Sequence, residues 1–140
     1  MKDNFSDIII PQIVHNEILQ LSEKYDLSKY LHSDWITINA IKNNKLFNQL
    51  LKKVDEGESE AIVLSQEIHA DLLLIDERKG TELARSFGIS TIGLLGVLLL
   101  SKEQKIIPRV QPILDELIAN TTFRITKTLY TNVLKQANEL

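Results

Sequence analysis

Apolar positions along the chain fall into short β-like runs separated by longer stretches of helical period. Asp7-Ile-Ile-Ile10 and Trp35-Ile-Thr-Ile38 are the first two β-like runs. Pro11 follows the first; proline suits the opening turn of a helix, which then runs to about Tyr25. Asn43 to about Val54 reads as helix, Gly57 breaks the chain, and Glu58 to His69 forms the next helix. Asp71-Leu-Leu-Leu-Ile75 is apolar without alternation, the pattern of a strand covered on both faces. Lys79 to Phe87 reads as a short helix with Gly88 at its C-terminal cap, and Ile89 to Ile92 as a fourth strand. Helices follow at Gly93–Glu103, near Val110–Asn120 and near Lys127–Asn138, the last capped by Thr126. Strands alternating with helices predict an α/β fold with a parallel sheet of about four strands covered by helices.

Composition narrows the classes. The 140 residues suit one domain, here 1–140, and no linker, repeat or low-complexity tract divides them. With no cysteine, disulfide scaffolds and zinc–thiolate sites are excluded. Met1-Lys-Asp-Asn-Phe carries no signal-peptide pattern, and a cytoplasmic location is expected. The longest apolar run, Ile92–Leu100, is about half of the roughly 18 residues a membrane span needs. A net charge of −3 argues against coating nucleic acid by bulk charge, but not against an enzyme that meets it locally.

Three acids stand out by position. Ile13, Val14, Ile18 and Leu21 span an arc of about 140° on their helix, and Glu17 falls inside it. Either Glu17 reaches solvent or a lysine from the stripe's edge, or it faces the core and needs a partner, a proton or a metal. In Asp55-Glu-Gly-Glu-Ser-Glu60, acids at a helix N-terminus complement its dipole, which alone could account for the cluster. The wheel nonetheless puts Glu58 on the side of Ala61 and Ile62 and points Glu60 away. Asp76 ends the most apolar strand, at the edge where open parallel sheets bind ligands; its plain alternative is to cap the following helix. Asp7 and Asp34 begin their strands and belong to the opposite edge. Carboxylates converging on one edge repel unless a hard cation such as Mg²⁺ or Mn²⁺ joins them, and that cation can activate water at phosphorus. His15, His32 and His69 have no ligand spacing. The Lys42, Lys45, Lys52 and Lys53 series reads as a solvated helix face. No phosphate-loop or dinucleotide motif occurs.

The segments Ile10-Pro-Gln-Ile-Val-His-Asn-Glu17, Gly57-Glu-Ser-Glu-Ala-Ile62, Leu74-Ile-Asp-Glu-Arg-Lys-Gly80 and Gly88-Ile-Ser-Thr-Ile-Gly-Leu-Leu-Gly96 follow one another in an order that resembles the PIN-domain-like proteins of the DUF3368 group. The resemblance covers nearly the whole chain. It implies a three-layer α/β/α sandwich and a ribonuclease-type site holding Mg²⁺ or Mn²⁺, often in toxins of toxin–antitoxin pairs. RNA, an antitoxin and a second copy in a homodimer are the implied partners. By position, Glu17, Glu58 and Asp76 match catalytic acids, and Glu60 is an alternative to Glu58 as metal ligand, with Glu77 nearby. Arg78 and Lys79 adjoin Asp76 and are the expected substrate-binding residues. Thr81 departs from the group, where arginine is common. The group's N-terminal strand with its Asp-x-Ser, expected upstream of the equivalent of Phe5, is not in this sequence. A second reading is therefore a non-catalytic PIN-like module that binds a partner or itself through Leu129, Tyr130, Val133, Leu134 and Ala137. A third is another phosphoryl-transfer enzyme using the same acids.

Overall fold

The computed structural model describes residues 7–20, 26–27 and 32–140. The proposed end of the first helix, with Leu21 on its stripe, lies outside the described residues, as do Asp3 and Phe5. The chain packs as two compact units, one ending at Ile92 and one running Gly93–Leu140.

In the first unit, β1 (Ile8–Pro11) is a run of β-branched isoleucines stopped by proline, which has no N–H to continue a ladder. Pro11 is also the residue before α1 (Gln12–Leu19). β1 pairs in parallel with β2 (Ile36–Asn39), Ile8 opposite Ile36 and Pro11 opposite Asn39. Asn43 caps α2 (Asn44–Leu50), its Oδ1 accepting the N–H of Leu46 at 3.0 Å. α3 (Glu56–Glu67) follows. Then β3 (Leu73–Leu74) and β4 (Thr91–Ile92) pair in parallel, joined through α4 (Arg78–Ser86), the crossover that parallel strands require.

A single sheet of about four strands is not formed by the described residues: β1–β2 and β3–β4 are separate two-stranded ladders. Apolar patterning marks where strands form, but which strands pair depends on tertiary contacts. β3 also departs from the two-sided burial its composition suggests. Leu73 and Ile75 are both 8% exposed, whereas Leu74 between them is 52% exposed. Alternate side chains leave a strand on opposite faces, and here one face is open.

The centre of this unit is α3, which packs against α1, α2, β1, β3 and α4. Gly57 does not break the chain; it is the second residue of the helix and is buried. Seven of the twelve residues of α3 are buried, so the helix is covered on more than one side and has no single apolar stripe. Ile62, Val63, Leu50, Leu73, Ile75 and Ala84 form the core around it.

The second unit is helical: α5 (Leu94–Glu103), α6 (Gln111–Asn120) and α7 (Lys127–Gln136) enclose Leu98, Val110, Leu114, Val133 and Ala137. Thr126 caps α7, its Oγ1 accepting the N–H of Leu129 at 3.1 Å. Val133, Leu134 and Ala137, proposed above for a partner surface, are buried, Val133 and Ala137 in the core of this unit; Leu129 remains 41% exposed. Among the described residues, no helix is long and apolar enough to cross a membrane.

Candidate active site

The first turn of α3 gathers acids from three elements. Asp55 is its N-cap, with Oδ1 accepting the N–H of Glu58 at 2.8 Å. That bond is the ordinary reason for an Asp at this position, satisfying an orphan helix donor. The carboxylate of Glu17, on α1, reaches the same turn. A β-carbon built on Gly57 would stand 3.3 Å from Glu17 Oε1 and 3.7 Å from Asp55 Oδ1. Glycine at residue 57 thus lets the two carboxylates approach one backbone. Glu17 is exposed as a residue, yet its carboxylate turns to α3.

Glu58 lies deeper. Its Oε2 is buried without a hydrogen-bond partner and presses on Gly80 of α4. Its carboxyl is pushed up to about 7 from 4.5. Burial is the largest cause, followed by the charge and carboxylate oxygens of Asp55 and then those of Glu77. Near neutral pH this group therefore exchanges a proton readily.

Glu77 is a neighbour of Glu58 from the β3 edge. It caps α4, accepting the N–H of Gly80 at 3.0 Å. Asp76 is exposed, between the end of β3 and this cap. Glu60 is placed elsewhere. It is 6% exposed, and its Oε1 accepts the N–H of Ile13 at 2.8 Å. Pro11 offers α1 no side-chain cap, so a carboxylate from α3 caps that helix from outside. The wheel pointed Glu60 away from the core because it assumed one buried face; α3 has a second, against α1.

Of the two expected substrate contacts, Arg78 is engaged by Glu82, Nε to Oε1 at 3.1 Å. Lys79 lines an open hollow of about 330 Å³ together with Leu51, Lys52, Lys53, Val54, Asp55, Glu58 and Glu77. The structure thus brings Glu17 and Glu58 to one end of α3 and joins them through Asp55. Residue type and spacing do not single out Asp55, because a capping aspartate is already accounted for by its cap.

Among the described residues, no three His, Asp or Glu side chains converge as a ready-made metal cage. The chemistry of the donors nevertheless suits a hard divalent cation. All are carboxylate oxygens, and Glu58 Oε2 is a buried acceptor without a partner, which a proton or a cation would satisfy.

Comparison with curated proteins and with solved structures gave no match. The family model described as DUF3368, PIN domain, matches residues 1–139. The parallel ladders, the helical crossovers and that match over almost the entire length agree, and the chain belongs to the DUF3368 family of PIN domains.

Proposed function

We propose that this protein is a divalent-metal-dependent ribonuclease whose site is the acidic end of α3. The observation that carries the reading is the buried, unpartnered Oε2 of Glu58 at a hollow that it shares with Asp55, Glu77 and three lysines. Membership of the PIN-domain family supports it.

Glu58 would be the principal ligand of Mg²⁺ or Mn²⁺, with Asp55 and Glu17 beside it and Asp76 and Glu77 at the β3 edge. The bound cation supplies an activated water and neutralises charge on the phosphodiester. The protein's part is to fix the acids. Asp55 is held by the helix N-terminus it caps, Glu77 by Gly80, and Glu58 by the packing of α3 on α4. Glu58 must give up its proton for a cation to bind, and a carboxyl near 7 does so at little cost at neutral pH. Action as a toxin held by an antitoxin belongs to the same proposal.

The test is cleavage of RNA by the full chain with Mg²⁺ or Mn²⁺, compared with chelator and with Glu58→Gln. Cation-dependent cleavage lost in the variant is expected. No cleavage by the wild-type chain, or equal cleavage by Glu58→Gln, would overturn the reading.

A further inference from the structure

The hollow at α3 holds as many lysines as acids: Lys52, Lys53 and Lys79 against Asp55, Glu58 and Glu77. Lys79 is the substrate contact expected from the sequence, but the sequence offers no reason to separate Lys52 and Lys53 from Lys42 and Lys45, which come from the same stretch. The fold separates them. After α2 the chain turns, with the N–H groups of Lys53 and Val54 both donating to the carbonyl of Leu50 at 2.9 and 3.0 Å. That turn delivers Lys52 and Lys53 to the hollow, and the first turn of α4 delivers Lys79. Lys42 instead lies in another depression, where its N–H and that of Asn43 are taken by the Glu67 carboxylate at 2.9 and 2.8 Å. All three hollow lysines are exposed, and among the described residues none is in an ion pair.

We propose that Lys52, Lys53 and Lys79 grip the backbone phosphates of RNA, and that they do so only when a divalent cation occupies the acids beside them. The inference rests on the ribonuclease reading of this site and adds to it the residues that hold the substrate and the order imposed on binding. Lysine is a compact point charge on a flexible stem, suited to phosphate without base selection. With the acids ionised and no cation present, the three lysines are matched by three acids lining the hollow, and Glu17 beside Asp55 adds a further negative charge. A polyanion then gains nothing on entering. A divalent cation offsets two of the negative charges, and the same lysines become attractive. Linkage makes the effect reciprocal: RNA raises the affinity for the cation by the factor by which the cation raises the affinity for RNA.

The experiment is binding of a short labelled single-stranded RNA to the full chain, followed by fluorescence anisotropy in Ca²⁺ and in chelator across a salt series. Ca²⁺ is expected to raise the affinity by about tenfold or more. The Lys52→Ala/Lys53→Ala/Lys79→Ala variant should lose that gain. Its dependence of log affinity on log salt should be shallower by about 2, from three phosphate contacts at about 0.7 each. Lys42→Ala/Lys45→Ala should bind as wild type. Calorimetric Ca²⁺ binding without RNA should persist in the triple variant, because its acids remain. RNA affinity indifferent to Ca²⁺, a triple variant that binds like wild type, or equal weakening by the Lys42/Lys45 pair would each overturn the proposal. The two readings fail separately. Cation-linked RNA binding without cleavage in Mg²⁺ or Mn²⁺ removes the ribonuclease and leaves the grip; cleavage unaffected by the triple variant removes the grip and leaves the ribonuclease.

Discussion

Glu58 Oε2 lies against the backbone of Gly80, so that the space a side chain at residue 80 would occupy is filled by the carboxylate of another helix. A β-carbon there would also stand 2.7 Å from Ile75 Cδ1. Glycine inside a helix costs about 1 kcal/mol relative to alanine, and here that cost makes room for the acid. Gly80→Ala should therefore push Glu58 out toward solvent and bring its carboxyl back toward the usual range. In a Glu58→Ala background the obstacle is reduced to Ile75, and the same substitution should be stabilising or neutral. A double-mutant cycle by denaturant unfolding should show coupling of about 1–2 kcal/mol. Additive effects would mean that the two residues do not compete for this space.

The raised carboxyl of Glu58 has a definite sign for stability. Its folded value of about 7 exceeds the unfolded 4.5, so folding takes up a proton between them. The associated stabilisation is fully present below 4.5 and is lost as pH rises through about 7, a span of about 1–3 kcal/mol. Without divalent cations, the wild-type chain should lose stability relative to Glu58→Gln from pH 5 to 8, and Mn²⁺ affinity should rise over the same range. Parallel pH profiles for the two proteins would rule out Glu58 as the titrating group.

Glu60 separates structure from chemistry in the same helix. Glu60→Ala removes the side-chain acceptor of the N–H of Ile13 and should cost about 1–3 kcal/mol. Glu60→Gln keeps an acceptor and should recover most of that. Neither should change the affinity of the folded protein for Mn²⁺. A large loss of Mn²⁺ affinity in Glu60→Gln, measured calorimetrically, would place this acid in the metal site instead.

What the sequence made legible was local chemistry. Thr126 and Gly88 work at helix ends through their own side chain or its absence, so residue type alone located them. Glu60 and Asp55 were not legible for opposite reasons. Glu60 faces α1 because α3 is buried on two sides, a fact about packing that a one-stripe wheel cannot contain. Asp55 has an adequate local role as a cap, which conceals its place beside Glu58. Glu77 is concealed in the same way as Asp55, since capping α4 is an adequate local role for it.

Four helix ends share one geometry. His69, Gly88, Lys105 and Asn138 have φ of 51°, 77°, 62° and 58°, in the left-handed region. At each, the next N–H reaches back to close the turn: Ala70 to Ser65, Ile89 to Ala84, Ile106 to Ser101 and Glu139 to Leu134. Glycine fits this position without strain, whereas a β-carbon costs about 1 kcal/mol. Lys105→Gly should stabilise the second unit by up to about 1 kcal/mol. Gly88→Ala should destabilise by a similar amount through the backbone alone, since nothing lies within 4 Å of the added atom. Chemical denaturation measures both, and a destabilising Lys105→Gly would show that its side chain contributes more than its backbone costs.

The second unit is fastened by its penultimate residue. The Glu139 side chain, 3% exposed, accepts the N–H of Val110 at 2.7 Å and of Gln111 at 2.9 Å, capping α6. Lys102 Nζ stands 3.1 Å from the same carboxylate and also donates to the carbonyl of Ala137. Burial alone would raise this carboxyl; the two N–H groups and the Lys102 ammonium outweigh it and hold the group below its usual range. A depressed folded value gives stabilisation that is present above about 4.5 and lost as pH falls through the folded value, the reverse of Glu58. Glu139→Ala leaves two helix donors without their acceptor and the Lys102 ammonium without its counter-charge, and should cost about 3–5 kcal/mol at neutral pH. Glu139→Gln retains one acceptor oxygen and should cost less, and both variants should lose the acid sensitivity attributable to this group. Helix content followed by circular dichroism through acid titration tests it. Acid unfolding of the 93–140 helices unchanged in Glu139→Gln would mean that the clasp carries no charge-dependent stability.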